Sequence, residues 1–166
     1  MSRPEAKRGT GRDGDAGLRL RMRGEERRIL AQHDRLDALC EEIQERLSED
    51  GPESSREGFQ QLRTALDAHM KMEEEIYFPA LHGLQTDAES ALSELVAEHD
   101  ELRETAIRVS ELLESLDRDG ARVEMGRLAS RVTAHEQAEE DLIARITEGA
   151  SPRVGYPDGG TDQEAG

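Results

Sequence analysis

Two segments of this 166-residue chain repeat each other at the positions best suited to chemistry: residues 31–36 read Ala-Gln-His-Asp-Arg-Leu and residues 97–102 read Ala-Glu-His-Asp-Glu-Leu. The same offset of 66 positions carries His69 onto His135, Glu73 onto Glu139 and Glu74 onto Glu140. The chain is an internal duplication whose best-matched residues are histidines and carboxylates, not the apolar residues a merely structural repeat would keep. Each half supplies one histidine and, 36 positions later, a His-x-x-x-Glu. Imidazole and carboxylate are borderline and hard donors, suited to iron, manganese or zinc. His33, His69, Glu73, His99, His135 and Glu139 are therefore the candidate metal ligands.

Three breaks fix the elements that must position these residues. Ser48-Glu49-Asp50-Gly51-Pro52 is the first, with Ser54 and Glu57 in the pattern of a capping box. Gly83 to Thr86 is the second, where Thr86 and Glu89 repeat that pattern, and Asp119-Gly120 is the third. Gly149 and Pro152 close the last segment. Helices are expected at about 24–48, 54–82, 86–118 and 121–148. They make one domain over residues 24–149, flanked by a basic tail at 1–23 and a tail at 150–166. Both tails are rich in Gly, Pro and small polar residues and are expected to be disordered.

The apolar spacing then places the candidate ligands. The seam of the first helix runs Ile29, His33, Leu36, Cys40, Ile43, Leu47. That of the second runs Phe59, Leu62, Leu66, His69, Glu73, Ile76, Ala80. The third gives Leu92, Leu95, His99, Leu102, Ala106, Val109, Leu113, Leu116, and the fourth Met125, Leu128, Val132, His135, Glu139, Leu142, Ile146. Alternating steps of three and four are the signature of helices packed in a bundle. Each histidine takes a seam position that should otherwise be apolar. Short connections make neighbouring helices antiparallel, so the expected fold is all-α, an up-down-up-down four-helix bundle. At about 1.5 Å rise per residue the four histidines fall within about one turn of a common level.

A single buried histidine is ordinarily a satisfied core residue, and one His-x-x-x-Glu is a weak signal. Two buried carboxylates are different, because each costs several kcal/mol unless paired or bound to a metal. No Lys or Arg occupies a seam position near that level. Four imidazoles divide into two per metal, and two carboxylates can each bridge both ions; an added oxo or hydroxo group would leave an exchangeable position on each. Iron suits such open N/O sites. The Glu-x-x-His pairs of ferritin-like di-iron bundles are absent, since Leu30, Leu66, Val96 and Val132 stand three before the histidines.

His33, then His69-x-x-x-Glu73-Glu74 with Ile76-Tyr77-Phe78-Pro79, then His99, then His135-x-x-x-Glu139-Glu140, resembles the hemerythrin-like (HHE) cation-binding domain. The resemblance covers residues 24–148 and is closest to the four-histidine, two-glutamate variant. It implies a non-haem centre of two Fe ions, with His33, His69, His99 and His135 as terminal ligands and Glu73 and Glu139 as bridges. The family's oxygen carriers have a fifth histidine four residues after the third-helix histidine, where this chain has Arg103. In those carriers the fourth-helix carboxylate stands five after its histidine, at the position of Glu140, whereas the repeat favours Glu139. Fewer nitrogen ligands disfavour reversible oxygen carriage. The resemblance therefore implies a redox or iron stress protein that binds or reacts with O₂, peroxide or NO, with catalase-like turnover left open. An iron or oxygen sensor or iron-handling module without turnover, and a purely structural helical interaction protein, are the alternatives.

Other residues read more plainly. His82 is expected at a helix end and Cys40 as a small apolar filler, while Tyr77 is expected to pack and Glu74 and Glu140 to lie behind the site or in solvent. Residues 1–28 hold nine Lys/Arg and five Asp/Glu within a chain of net charge −16. The strongly acidic body repels phosphate, so no nucleic-acid partner is expected. Charged residues reach 36% and no apolar run approaches the roughly 18 residues of a membrane span, so no membrane partner is expected. No signal peptide is recognised, and a single cysteine fits a reducing compartment, making the cytoplasm the expected location.

Overall fold

The computed structural model describes residues 11–84 and 88–148. Helix α1 spans Gly11–Glu49 and α2 spans Pro52–Met72, followed without interruption by a π-helical turn at Glu73–Tyr77 and the short α3 at Phe78–Leu84. Helices α4 at Glu89–Glu114 and α5 at Arg118–Glu148 complete the chain. Counting α2, the π turn and α3 as one rod, four rods pack in the order α1 on α2, α2 on α4, α4 on α5 and α5 on α1. This is an all-α, up-down-up-down four-helix bundle, as the short connections require. No helix among the described residues is long and apolar enough to cross a membrane.

The two turns at one end are built more tightly than expected. Gly51 closes the first with φ 93°, a conformation that strains any residue carrying a Cβ. Pro52 then opens α2, and Ser54 and Ser55 each donate to the Gly51 carbonyl at 2.9 Å. Ser54 is therefore inside the helix and not its cap. The second turn is capped by Asp117, whose Oδ1 accepts from the Gly120 N–H at 3.0 Å. This starts α5 at Arg118, so Gly120 lies in its first turn and not in the break. The open carbonyls at the ends of α1 and α4 are met by arginines from neighbouring rods. Arg56 donates to Leu113 and Glu114, and Arg118 donates to Leu47 and Ser48.

At the other end α1 begins at Gly11, well before the expected start at 24. Residues 11–23, expected as tail, continue the helix, and Met22 at 4% exposure packs into the core. The glycines there cost about 1 kcal/mol apiece relative to alanine, too little to stop a helix already propagating. Residues 1–10 and the expected tail at 150–166 lie outside the described residues, as does Thr86 of the second capping pattern.

The rod formed by α2 and α3 departs from the expected single helix over 54–82. Its cause is Pro79, which has no N–H for the carbonyl four residues back and whose ring crowds it. The turn ahead widens, and the Phe78 N–H donates to the Glu73 carbonyl five residues back. The extra residue shifts the inward face by one position. Tyr77 and Phe78 are buried, while Ile76, expected on the seam, is 59% exposed. Leu116 also leaves its expected seam position, exposed in the turn after α4 with φ 59°.

The remaining seam residues form two separate apolar clusters. One includes Leu36, Cys40, Phe59, Leu66, Leu102, Val109, Met125 and Val132, at the end with the tight turns. The other includes Met22, Ile29, Tyr77, Phe78, Leu81, Leu95, Leu142 and Ile146. Burying one such side chain contributes about 1.5–3 kcal/mol, so these clusters hold the rods in place. Between them lies a polar layer.

Candidate metal centre

His33 on α1, His69 on α2, Glu73 on the π turn, His99 on α4, and His135 and Glu139 on α5 make up that layer. None of the six is more than 4% exposed. The structure thus brings together every residue that the seam reading singled out. Their side-chain donor atoms fall into two groups, in each of which all atoms lie within 4.8 Å of one another: His33, His69, Glu73 and Glu139, and Glu73, His99 and His135. Glu73 is shared. Glu139, expected to be shared as well, groups with the first set.

The inward contacts are close. Glu73 Oε1 is 2.8 Å from His69 Nε2, and Glu73 Oε2 is 3.1 Å from His99 Nε2 and 3.9 Å from His135 Nε2. Glu139 Oε2 is 3.2 Å from His33 Nε2. The outward contacts set the direction of every ring. Each Nδ1–H donates to an acceptor-only oxygen: His33 to Glu140 at 3.1 Å, His69 to Gln32 at 2.8 Å, His99 to Glu74 at 2.7 Å and His135 to Glu98 at 2.8 Å. An Nδ1 proton held in this way leaves the Nε2 lone pair of the neutral ring pointing into the layer. Glu74 is itself held by Arg103, whose Nη2 donates to it at 2.9 Å while Nη1 donates to Asp100 at 3.1 Å.

The electrostatics show an unfinished balance. Burial pushes the Glu73 carboxyl up, but the imidazoles of His135, His69 and His99 close around it outweigh that effect and hold Glu73 well below the usual carboxylate range. Glu139 is pushed up to about 7, first by burial and then by the neighbouring Glu73, with His33 opposing. Burial would lower His33, yet Glu139 and Glu140 raise it to about 9. One buried carboxylate is neutralised by the imidazoles and the second is not.

The hydrogen-bond inventory makes the same point. His33 Nε2, His69 Nε2 and both carboxylate oxygens of Glu73 and of Glu139 are buried without a hydrogen-bond partner. His99 Nε2 and His135 Nε2 face each other at 3.0 Å, which opposes two lone pairs when both Nδ1 atoms carry the proton. Orphaned buried polar atoms are rare, and each normally costs 1–3 kcal/mol. Nitrogen and oxygen donors around two buried carboxylates, neither of which meets a Lys or Arg among the described residues, are a donor set that a cation completes.

The other expected residues fall as follows. Glu74 and Glu140 lie behind the layer, each on a histidine Nδ1. Tyr77 packs at 1% exposure beside Phe78, and burial together with Glu139 raises its hydroxyl above the usual range. His82 is exposed near the end of α3. Cys40 sits in the apolar cluster, and burial pushes its thiol up to about 12, far from thiolate chemistry. Gln32 and Glu98 were missed, although the signal was present: they are the residues just before His33 and His99, at equivalent places in the repeat.

No curated protein and no solved structure matched the chain. A family model does match, that of the Hemerythrin HHE cation binding domain, over residues 25–147. That span runs from the approach to His33 to the end of α5 and contains the whole polar layer with its outer partners. On that match, with six converging histidine and glutamate side chains that could hold a metal ion, the chain belongs to the hemerythrin HHE cation-binding family.

Proposed function

We propose that this chain holds two iron ions and through them binds or reacts with O₂, peroxide or NO in a redox or iron stress response. In this reading His33, His69 and Glu139 would hold one ion, His99 and His135 would hold the other, and Glu73, which belongs to both groups, would be available to each. The observation that carries the reading is the set of buried inward atoms left without hydrogen-bond partners. Bound iron would supply one-electron exchange with a small ligand. The chain's own part is to keep the Nδ1 protons on Glu140, Gln32, Glu74 and Glu98, so that each ring presents a lone pair, and to exclude bulk water with the two apolar clusters. Arg103 is tied to Glu74 and Asp100 and lends no nitrogen to the layer.

Elemental analysis should find roughly two iron ions per chain, one for each group of inward atoms. His69→Ala and His135→Ala should each lower that content. No long-lived oxygenated form is expected, but peroxide addition should evolve oxygen and NO should change the near-ultraviolet spectrum, with Glu139→Ala as the control for loose iron. Iron-free protein that takes up no metal would overturn the reading.

A sensor without turnover is the second reading, and the separation of the core into two clusters favours it. Loss of the metal would loosen one cluster against the other and give a conformational output. An iron-loaded chain inert to peroxide, whose melting temperature still tracks iron, would select it.

A further inference from the structure

The duplication breaks down at one place behind the layer. The repeat offset carries Asp37 onto Arg103, Met70 onto Glu136 and Glu74 onto Glu140. Between α2 and α4 these places hold a balanced set: Arg103 Nη2 donates to Glu74 at 2.9 Å, Glu74 accepts from His99 Nδ1, and Met70 is a fully buried apolar wall. Between α1 and α5 the same places hold three carboxylates. Glu140 accepts from His33 Nδ1 as Glu74 does from His99. Asp37, standing where the other half has its guanidinium, is exposed and accepts a long bond from Thr133 Oγ1 of α5 at 3.4 Å. Glu136 is 5% exposed, and its Oε1 has no hydrogen-bond partner. Asp37 and Glu140 both push the Glu136 carboxyl up, so the three lie within range of one another's charge. Among the described residues the ion-pairing partner of the set is His33, on Glu140. Glu140 also lines a cavity of about 290 Å³ between α1 and α5, whose other polar residues are Glu26, Gln137 and Asp141.

We infer that Asp37, Glu136 and Glu140 form an outer cation site in the groove between α1 and α5, taking a hard divalent ion where the other half of the repeat keeps the Arg103 guanidinium. The site uses none of the six residues of the layer and stands whatever the layer holds. Its donors are all carboxylate oxygens, because the His33 Nδ1 proton is committed to Glu140 and that nitrogen offers no lone pair. Such a set suits Mn²⁺, Mg²⁺ or Ca²⁺. A carboxylate has two oxygens, so Glu140 can keep His33 on one and meet an ion with the other. Glu136 supplies the reason to bind: a buried carboxylate without a partner is costly, and an ion offsets that cost. The three do not close to the 4.8 Å spacing of the layer's donor groups. Like charges hold them apart, and an ion between them draws the exposed Asp37 inward. The neighbouring cavity exceeds the roughly 30 Å³ share of one water several times over, leaving room for an ion that retains part of its hydration. An ion on Glu140 would do for His33 what Arg103 does for His99, giving the two histidines equivalent surroundings.

The test titrates the iron-loaded chain with Mn²⁺, counting bound ion by loss of the free Mn²⁺ paramagnetic-resonance signal and following the melting temperature. Asp37→Arg puts a guanidinium where Arg103 stands in the other half, and Glu136→Gln removes the buried charge. Glu104→Arg makes the same charge change as Asp37→Arg at an exposed position on α4 and controls for loose counter-ions on an acidic surface. The wild type and Glu104→Arg should each take up about one Mn²⁺ per chain more than Asp37→Arg, with Glu136→Gln binding roughly tenfold or more weakly than the wild type. Near ten times the dissociation constant, Mn²⁺ should raise the wild-type melting temperature by about 3–6 °C and leave that of Asp37→Arg unmoved. Without Mn²⁺, Asp37→Arg should melt above the wild type, because its side chain pairs with Glu140. Equal uptake by the wild type, Asp37→Arg and Glu136→Gln overturns the site, and so does an equal loss in Glu104→Arg, which would mark the ion as a diffuse counter-ion only. Iron content measured in parallel tests the layer separately, so either proposal can fail while the other stands.

Discussion

Glu136 follows a proposed ligand, yet its own side chain points elsewhere, 5% exposed and with Oε1 lacking a hydrogen-bond partner. Burial is the main reason its carboxyl is pushed up from 4.5 to about 7; His33 and His135 oppose the shift while Asp37 and Glu140 reinforce it. The folded chain therefore keeps a proton that the unfolded chain releases between pH 4.5 and about 7. Below that window both states are protonated and the group is neutral to stability. Through it stability falls, and above it the full penalty remains. At about 1.4 kcal/mol per pK unit the ceiling is about 3 kcal/mol, and partial relaxation around the charge brings the expectation to about 1–3. Glu136→Gln removes the charge with little change of shape. It should raise the melting temperature at pH 8 by roughly 3–10 °C and leave it nearly unchanged at pH 4.5. Thermal melts followed by circular dichroism at the two pH values measure this directly. An equal gain at both values, or none at pH 8, would refute the reasoning, because a gain without pH dependence comes from packing and not from a buried charge.

Chelation of the bound metal should lower the melting temperature markedly, since it returns Glu73 and Glu139 to a layer without a counter-ion at several kcal/mol. The double change Glu73→Gln, Glu139→Gln should soften that drop, and coincident melts with and without chelator would contradict it. Gly120→Ala should destabilise by about 1–2 kcal/mol despite alanine's helix preference, because the new Cβ would clash with the Asp117 carboxylate and displace the cap of α5, besides crowding the movable end of the Leu112 side chain. In an Asp117→Ala background the same change should be neutral or stabilising, and an equal cost in both backgrounds would show that the clash lies elsewhere.

The bundle and the convergence of six side chains were legible because a seam tolerates few polar residues, and histidines recurring on all four seams at one depth leave little else to mean. What escaped depended on geometry that a regular helix conceals. A repeating seam carried through Pro79 predicts Ile76 inside, but the widened turn that the proline forces brings Tyr77 there instead. Gln32 and Glu98 lie one residue off the seam and read as solvent-facing. They matter because Nδ1 of a histidine on the neighbouring rod reaches past its own backbone, a cross-rod contact that no single helix displays. The early start of α1 was hidden by glycines, which weaken a helix without ending it. The helix starts at Pro52 and Arg118 were misplaced because serine and aspartate-glycine patterns suit a helix's first turn as well as the residue before it.

The division of the core has a consequence for how the molecule comes apart. A four-helix bundle with one continuous apolar seam opens all at once, whereas here a layer of imidazoles and carboxylates interrupts the seam across every rod. The cluster beside the tight turns is anchored by Gly51, Asp117 and the two arginines that close the ends of α1 and α4. The opposite cluster leans on the short α3 and on Met22 and Ile29 of α1. Cations at the interruption would act as the clasp between two collapsed blocks of unequal strength. Amide exchange in α3 and around Met22 would then report the occupancy of the centre, while amides around Leu47 and Leu113 report the stability of the whole.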